Sequence, residues 1–344
     1  MRRGAFSLIA LGLAMAVCAV STSSSEAKPK QSHVLRSGKI LFAAHGTTNG
    51  RAPLQLFVSD AKGSDCTQIS GWLVTGSEDY STPDVGKAAG GGWRIAWGVN
   101  GLRVFDTATG AIASIEETGA TRADFSPDAN TIVYQSGTTE INLWKASYDG
   151  SSITQLTNVA SGNNAEWPYF VSQTGQVLFF ATYGLHRRHL IDADGSNEQV
   201  IAAPGGDTVS HLGMKADGSE FVNPDNLTSY MISTGAVGTI TDLKHTTTLL
   251  SQLSSLGFEE VPVSFASGQG GNGTFALSVD WSEDGEKLVF DALVKERATE
   301  LKGVAIFTFD LTENKLSLVY GPEPLEPSRT NNYNYSIHTP KWIP

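Results

Sequence analysis

The chain has 344 residues, 40% of them hydrophobic and 17% charged, with 24 basic against 35 acidic side chains and a net charge of −11. A chain this long normally divides its core or repeats it. The acidic balance argues against nucleic acid or anionic lipid as a partner, and otherwise serves solubility.

The first 27 residues read as an export signal. Arg2 and Arg3 form a positive start, residues 5–20 are apolar or small, and a polar stretch ends in Ser25-Glu26-Ala27, a small-x-small cleavage pattern. The apolar run is shorter than the ~20 residues a spanning helix needs, and no later stretch is long and apolar enough. The expected mature chain, residues 28–344, is therefore periplasmic or secreted and has no membrane span. Loss of Arg2, Arg3 and Glu26 moves its net charge to −12. Cys18, followed by a Ser-rich stretch, offers a lipoprotein tether as the alternative, although Val17 is bulky for the position before a lipidated cysteine. Cleavage after Ala27 leaves Cys66 as the only cysteine. It reads as a small apolar residue and not a nucleophile, so no disulfide is expected to staple the fold.

Beyond residue 33 the chain repeats itself. KILFAAH from Lys39, LQLFVSD from Leu54 and CTQIS from Cys66 are three short strands, each rich in β-branched or aromatic residues. RIAWG, LRVFDT and AIASI follow from Arg94, Leu102 and Ala111. Residues 121–157 hold the clearest unit: TRADF, an SPDA turn, TIVYQ, then INLWKA, a YDG turn and ITQL. Period-two alternation punctuated by Asp-Gly turns is the pattern of antiparallel hairpins. VLFFAT, LHRRHLID and EQVIA continue it, then EFVNP, TSYMIST and GTITD, then KLVFDA, VAIFTFD and LSLVY. A first strand precedes each of the later five sets and a sixth ends the chain, and each ends on an apolar anchor: Val85, Phe125, Phe170, Met214, Trp281 and Trp342, at intervals of 40, 45, 44, 67 and 61 residues.

Six anchors predict an all-β fold, a six-bladed propeller of four-stranded antiparallel blades with no long exposed sheet edge. The first set lacks its first strand, and residues 336–344 are a first strand with nothing after it. The C-terminal strand is therefore expected to join blade one and close the ring.

The segments FSPDANTIVYQS, WSEDGEKLVFDA and IDADGSNEQVI resemble the WD40-like repeats of the TolB family across most of residues 33–344. The resemblance implies the propeller architecture, which serves binding proteins, peptidase accessory domains and some polysaccharide lyases alike. TolB carries an α/β domain before its propeller. Only about a dozen residues separate the signal from the first blade here, so that domain is not expected and the role of TolB in its envelope system does not carry over whole.

Several local patterns invite sites. The carboxylates of Asp192 and Asp194 have calcium-loop spacing but fall where the repeat places a turn. His186 and His189 are three apart on a strand, face opposite ways, and read as part of a solvated basic strand. Residues 244–273 interrupt the repeat: Leu249, Leu250, Leu253 and Leu256 share a helical face, Gly257 is a C-cap candidate, and a Gly-rich stretch follows. That insert reads as a decoration at the blade five to six junction, or else as a cap over one face of the ring. No nucleophile elbow, zinc-protease pair or P-loop occurs.

First strands surround the channel of a propeller, and their early positions carry Arg122, Glu166, Trp167, His211 and His338. Gathered at one mouth, these residues would form a binding surface for a peptide or a sugar. The expected function is binding or scaffolding without catalysis, with a protein or peptide partner in the cell envelope and no cofactor or metal. Two alternatives stay open: an enzyme acting on polysaccharide, its metal held by His45, His211 and His338, and a glycan-binding module without catalysis.

Overall fold

The computed structural model of the protein describes residues 34–44, 54–70, 81–98, 101–115, 119–172, 174–183, 187–201, 212–223, 227–232, 247–261, 276–324 and 339–344. Residues 1–27, expected to be an export signal and including Cys18, lie outside them, as do His45, His186, His211 and His338. The described residues form six antiparallel sheets arranged as the blades of a propeller.

Blade one contains β1 (Ile40–Ala44), β2 (Gln55–Ser59) and β3 (Thr67–Gln68). Blade two contains β4 (Ser81–Lys87), β5 (Trp93–Gly98), β6 (Leu102–Asp106) and β7 (Ile112–Ile115). Blade three is β8 (Thr121–Phe125), β9 (Thr131–Ser136), β10 (Asn142–Ser147) and β11 (Ile153–Gln155). Blade four is β12 (Ala165–Val171), β13 (Gln176–Ala181), β14 (Arg187–Asp192) and β15 (Gln199–Ile201). Blade five shows β16 (Gly213–Met214), β17 (Glu220–Asn223) and β18 (Thr228–Met231); its expected fourth strand, residues 238–242, lies outside the described residues. Helix α1 (Thr247–Ser255) and β19 (Phe258–Glu260) lead into blade six, made of β20 (Ala276–Trp281), β21 (Lys287–Glu296), β22 (Lys302–Asp310) and β23 (Lys315–Pro324). The last strand, β24 (Lys341–Trp342), pairs with β1 through Ile40↔Trp342 and Leu41↔Lys341, so blade one is built from both ends of the described chain.

Burial on both faces explains why the second strands are continuously apolar. In β1, Ile40, Phe42 and Ala44 point into a cluster with Val289, Ile306 and Val319 of blade six, while Leu41 and Ala43 join Ile95, Trp97 and Phe105 of blade two. In β13, Val177, Phe179 and Ala181 pack toward blade three, and Leu178 and Phe180 toward Phe221 of blade five. Each blade thus shares its core with both neighbours. A polar bolt adds to this between blades two and three: Arg94 Nε donates to Asp106 at 3.0 Å, Nη1 donates to the Ala129 carbonyl at 2.8 Å, and the guanidinium lies 3.3 Å from the Tyr148 ring centre.

The described part of the insert, residues 247–261, packs on blade six. Leu249 and Leu253 of α1 are buried in that blade's core, Leu256 packs against it, and Gly257 leaves the helix at φ +88°. Gln252 fixes the helix to the hairpin, donating to the Asn314 carbonyl at 2.8 Å and accepting the Leu316 N–H at 2.7 Å. Segment β19 extends the sheet by pairing with the far end of β21, beyond the part that β20 covers.

One expectation needs correction. β14 is not a solvated basic strand: Arg188 and His189 are buried, because the strand lies between β13 and β15 with blades on either side. Arg188 sits over the Phe180 ring, and His189 Nδ1 shares a 2.6 Å hydrogen bond with Glu198. Cys66 is partly buried against the core shared by blades one and six, as expected. The segment 192–197 forms the turn between β14 and β15, its carboxylates accepting from Gln176, Ser196 and Asn197.

Candidate functional site

Aligning the inner strands on their anchors brings two layers of side chains into register along the channel axis. Three positions before the anchor stand Thr82, Arg122, Trp167, Ser278 and Thr339. Four of these five hold the left-handed conformation, with φ of 43°, 53°, 59° and 31° for Thr82, Arg122, Trp167 and Thr339. In β4, β8 and β12 the strained residue sits in a register shift against the second strand. A bulge re-aims the residues that follow it. Non-glycine residues held this way cost about 1–3 kcal/mol each and persist where the surroundings fix them.

One position before the anchor the layer reads Asp84, Asp124, Tyr169, Gly213, Asp280 and Lys341. Lys341 enters with the closing strand, and its Nζ lies 3.4 Å from Asp84, 3.9 Å from Asp124 and 4.0 Å from Asp280, with the Tyr169 ring centre 5.8 Å away. The second oxygen of each aspartate accepts the anchor N–H of the next blade: Asp84 from Phe125 at 2.9 Å, Asp124 from Phe170 at 2.7 Å and Asp280 from Trp342 at 2.9 Å. Gly213 completes the layer because a Cβ there would come within 2.9 Å of the Val279 carbonyl oxygen.

Three carboxylates around one ammonium leave excess negative charge in a buried place. Burial, reinforced by the charge of Asp84, pushes Asp124 up to about 8, and burial pushes Asp280 up to about 6. Burial works against the charge on Lys341, but the carboxylates of Asp280, Asp84 and Asp124 outweigh it and hold the pKa well above the ordinary lysine value. The layer thus retains a proton near neutrality.

This layer divides the channel. On the side of the Ser-Pro-Asp turns it is the floor of a cavity of about 320 Å³, walled by Phe125, Phe170, Trp281 and Trp342, with Lys87, Lys215 and Glu283 toward the rim. On the side where the inner strands begin, the cavity is only about 30 Å³ and its collar is Pro83, Ala123, Pro168, Leu212, Val279 and Pro340.

The predicted site residues that are described fall at this narrow end. The Arg122 guanidinium lies 3.4 Å from the Trp167 ring centre, and Trp167 Nε1 donates to Glu166 at 3.0 Å. The Trp167 backbone N–H is held by Gln135 at 2.9 Å, and its side chain is buried. The three residues do meet. The positions of His211 and His338 lie outside the described residues, as does that of His45, so the three-histidine arrangement has no described member. Among the described residues no group of three or more His, Cys, Asp or Glu is placed to hold a metal ion, and no helix is long and apolar enough to cross a membrane.

The central charge layer was missed in the sequence. Its signal was present as TPDV, RADF, SVDW and TPKW: a charged residue directly before four anchors. It was obscured because aspartates also fill the repeat turns.

Fold and channel define a six-bladed β-propeller whose axial channel is closed midway by a buried charge cluster. Among solved structures it is similar to TolB from Acinetobacter baumannii, with 15% identity and a TM-score of 0.59 over 89% of this chain and 67% of that one. It is also similar to a chain of a nidogen/laminin complex, with 10% identity and a TM-score of 0.54 over 88% of this chain and 97% of that one. Oligogalacturonate lyase in complex with manganese aligns at 14% identity and a TM-score of 0.49, covering 82% and 74% of the two chains, too loosely to bear on chemistry. No family model matches the chain. By sequence it is 29% identical over 111 residues to an uncharacterized protein of Agrobacterium fabrum, covering 28% of this chain and 37% of the relative's length. These likenesses establish the fold.

Proposed function

We propose that this chain is an exported binding propeller, not an enzyme, and that it receives a segment of a protein or peptide partner in the wide end of its channel. The observation that carries the reading is the 320 Å³ cavity with four aromatic walls and a charged floor. Aromatic side chains around a desolvated pocket are what an inserted anchor residue needs, and the rim charges of Lys87, Lys215 and Glu283 supply orientation. The likeness to TolB supports a protein partner at the level of fold analogy.

The test is photo-crosslinking in cells from an unnatural residue at Lys87 or Glu283, with Thr154 on the outer strand of blade three as the control. The binding reading expects both rim positions to trap the same protein, Thr154 to trap none of it, and Lys215→Glu to weaken capture from the other rim position. Equal labelling from rim and control positions would refute it. Release of product from a polysaccharide by the purified protein would favour the enzyme reading instead.

A further inference from the structure

The narrow end of the channel has features that the proposed partner cavity does not use. The Arg122 guanidinium is stacked on Trp167, yet among the described residues it donates no hydrogen bond. Glu166 attracts it electrostatically but has one carboxylate oxygen occupied by the Trp167 indole N–H. Burial pushes Arg122 down to about 10, against the pull of Glu166, although the side chain is only half-buried. Two neighbouring hydroxyls are more deeply buried. The hydroxyls of Thr82 and Thr339 are buried and have no partner among the described residues. Thr82, Arg122 and Thr339 all line the same small space, and all three hold strained left-handed backbone conformations. Buried hydroxyls without partners, as at Thr82 and Thr339, are rare in folded proteins and mark a missing group beside the half-buried guanidinium.

The chemistry of that group follows from the donors. A guanidinium presents a rigid planar fork that matches a carboxylate with two parallel hydrogen bonds, and stacking on an indole fixes the plane of the fork. Lys341 lines the same space, with its charge shared by Asp84, Asp124 and Asp280 beneath, so Arg122 is the cation free to face a ligand among the described lining residues. About 30 Å³ is room for roughly two water molecules, which suits a carboxylate and is too small for a sugar ring. The collar of prolines, Leu212 and Val279 around it is apolar, as the chain carrying the carboxylate would require.

We propose that the Arg122–Trp167 pocket binds a carboxylate presented by a peptide, with the threonine hydroxyls completing its hydrogen bonds. The inference rests on the binding reading but concerns the opposite end of the channel, so the two can fail separately: rim crosslinking reports the wide end, and peptide titration reports this one.

The experiment is calorimetric titration of the whole protein with three short peptides: acetyl-trialanine with a free C-terminal carboxylate, the same peptide as its C-terminal amide, and an amidated peptide with an internal glutamate. At least tenfold tighter binding of the free acid than the amide is expected, and it should vanish in Arg122→Gln and be reduced in Arg122→Lys, which keeps the charge but not the fork. Tight binding of the glutamate peptide as well would assign the source to acidic side chains, and failure of that peptide would assign it to chain termini. The proposal is overturned by equal affinity for acid and amide, by a preference that survives in folded Arg122→Gln, by no binding of any peptide at millimolar concentration, or by tighter binding of galacturonate than of the peptide acid. Should Arg122→Gln not fold, the Arg122 Nε–H resonance of the wild-type protein serves instead. Addition of the free acid should shift it and addition of the amide should not; equal response to both sinks the proposal.

Discussion

Replacing Lys341 with methionine tests the central charge layer. The substitution keeps the length and most of the volume of the side chain but removes the only cation within 4.0 Å of Asp84, Asp124 and Asp280 among the described residues. Removing one partner from a buried ion pair costs about 3–5 kcal/mol, because the remaining charge is left uncompensated. The cost here depends on pH, since the carboxylates can take up protons instead. At pH 5, below the values of about 8 for Asp124 and about 6 for Asp280, two of the three are already largely neutral in the native protein. At pH 8 both are ionised to a large extent, and the variant must bury their charge or bind protons that the unfolded chain does not hold. Urea unfolding at the two pH values should therefore show a deficit of about 3–5 kcal/mol at pH 8 that is at least about 1 kcal/mol smaller at pH 5, with the same m-value. Adding Asp124→Asn to the variant should recover part of the loss at pH 8. A deficit below about 1 kcal/mol at both pH values, or one that does not depend on pH, would refute the layer's electrostatic role.

Asp124→Asn alone should flatten the pH dependence of stability: a carboxylate whose folded pKa is raised contributes stability below its unfolded value of 3.8 and loses it as pH rises through about 8, so the wild type should weaken across that window more than the variant, as followed by denaturant midpoints. Trp342→Ala should cost about 3–5 kcal/mol, because the indole is buried in the core shared by blades one and six, and a melting temperature within 2 °C of wild type would show that β24 does not hold the ring. Chelator treatment and added calcium should each leave the melting temperature unchanged, and elemental analysis should find no stoichiometric metal; one ion held per chain would revive the polysaccharide reading.

The architecture was legible because each blade repeats the same signals: an anchor, an Asp-containing turn, an apolar second strand and a polar third turn. The complementary split of blade one was legible too, from a first set without its first strand and an orphan strand at the end. The insert was only half legible. The spacing of Leu249, Leu253 and Leu256 gave a helical face, but not that Gln252 would tie it to the blade six hairpin, a contact spanning more than 60 residues. The burial of Arg188 and His189 was hidden because polarity suggests solvent, whereas a third strand of a propeller is covered by its neighbours whatever its side chains. The charge layer was obscured by composition. A buried aspartate and a turn aspartate look alike until the strands are stacked, and only a three-dimensional register separates Asp124, facing Lys341, from Asp128, which accepts from Ser126 and Asn130 in its own turn. The pairing of Arg122 with Trp167 joins two adjacent blades, and nothing in their separation along the chain announces a distance of 3.4 Å.

Because Lys341 belongs to the strand that pairs last in chain order, completing the ring and neutralising its centre are the same event. Until that strand arrives, Asp84, Asp124 and Asp280 have no ammonium among them, and the β1 edge it would cover is open. The anchor N–H of Trp342, which Asp280 accepts, is missing at the same stage. A chain interrupted before residue 341 therefore carries both an exposed strand edge and a carboxylate cluster without its Lys341 ammonium, so a single clip near the C-terminus opens the ring and strips its axis of charge compensation together.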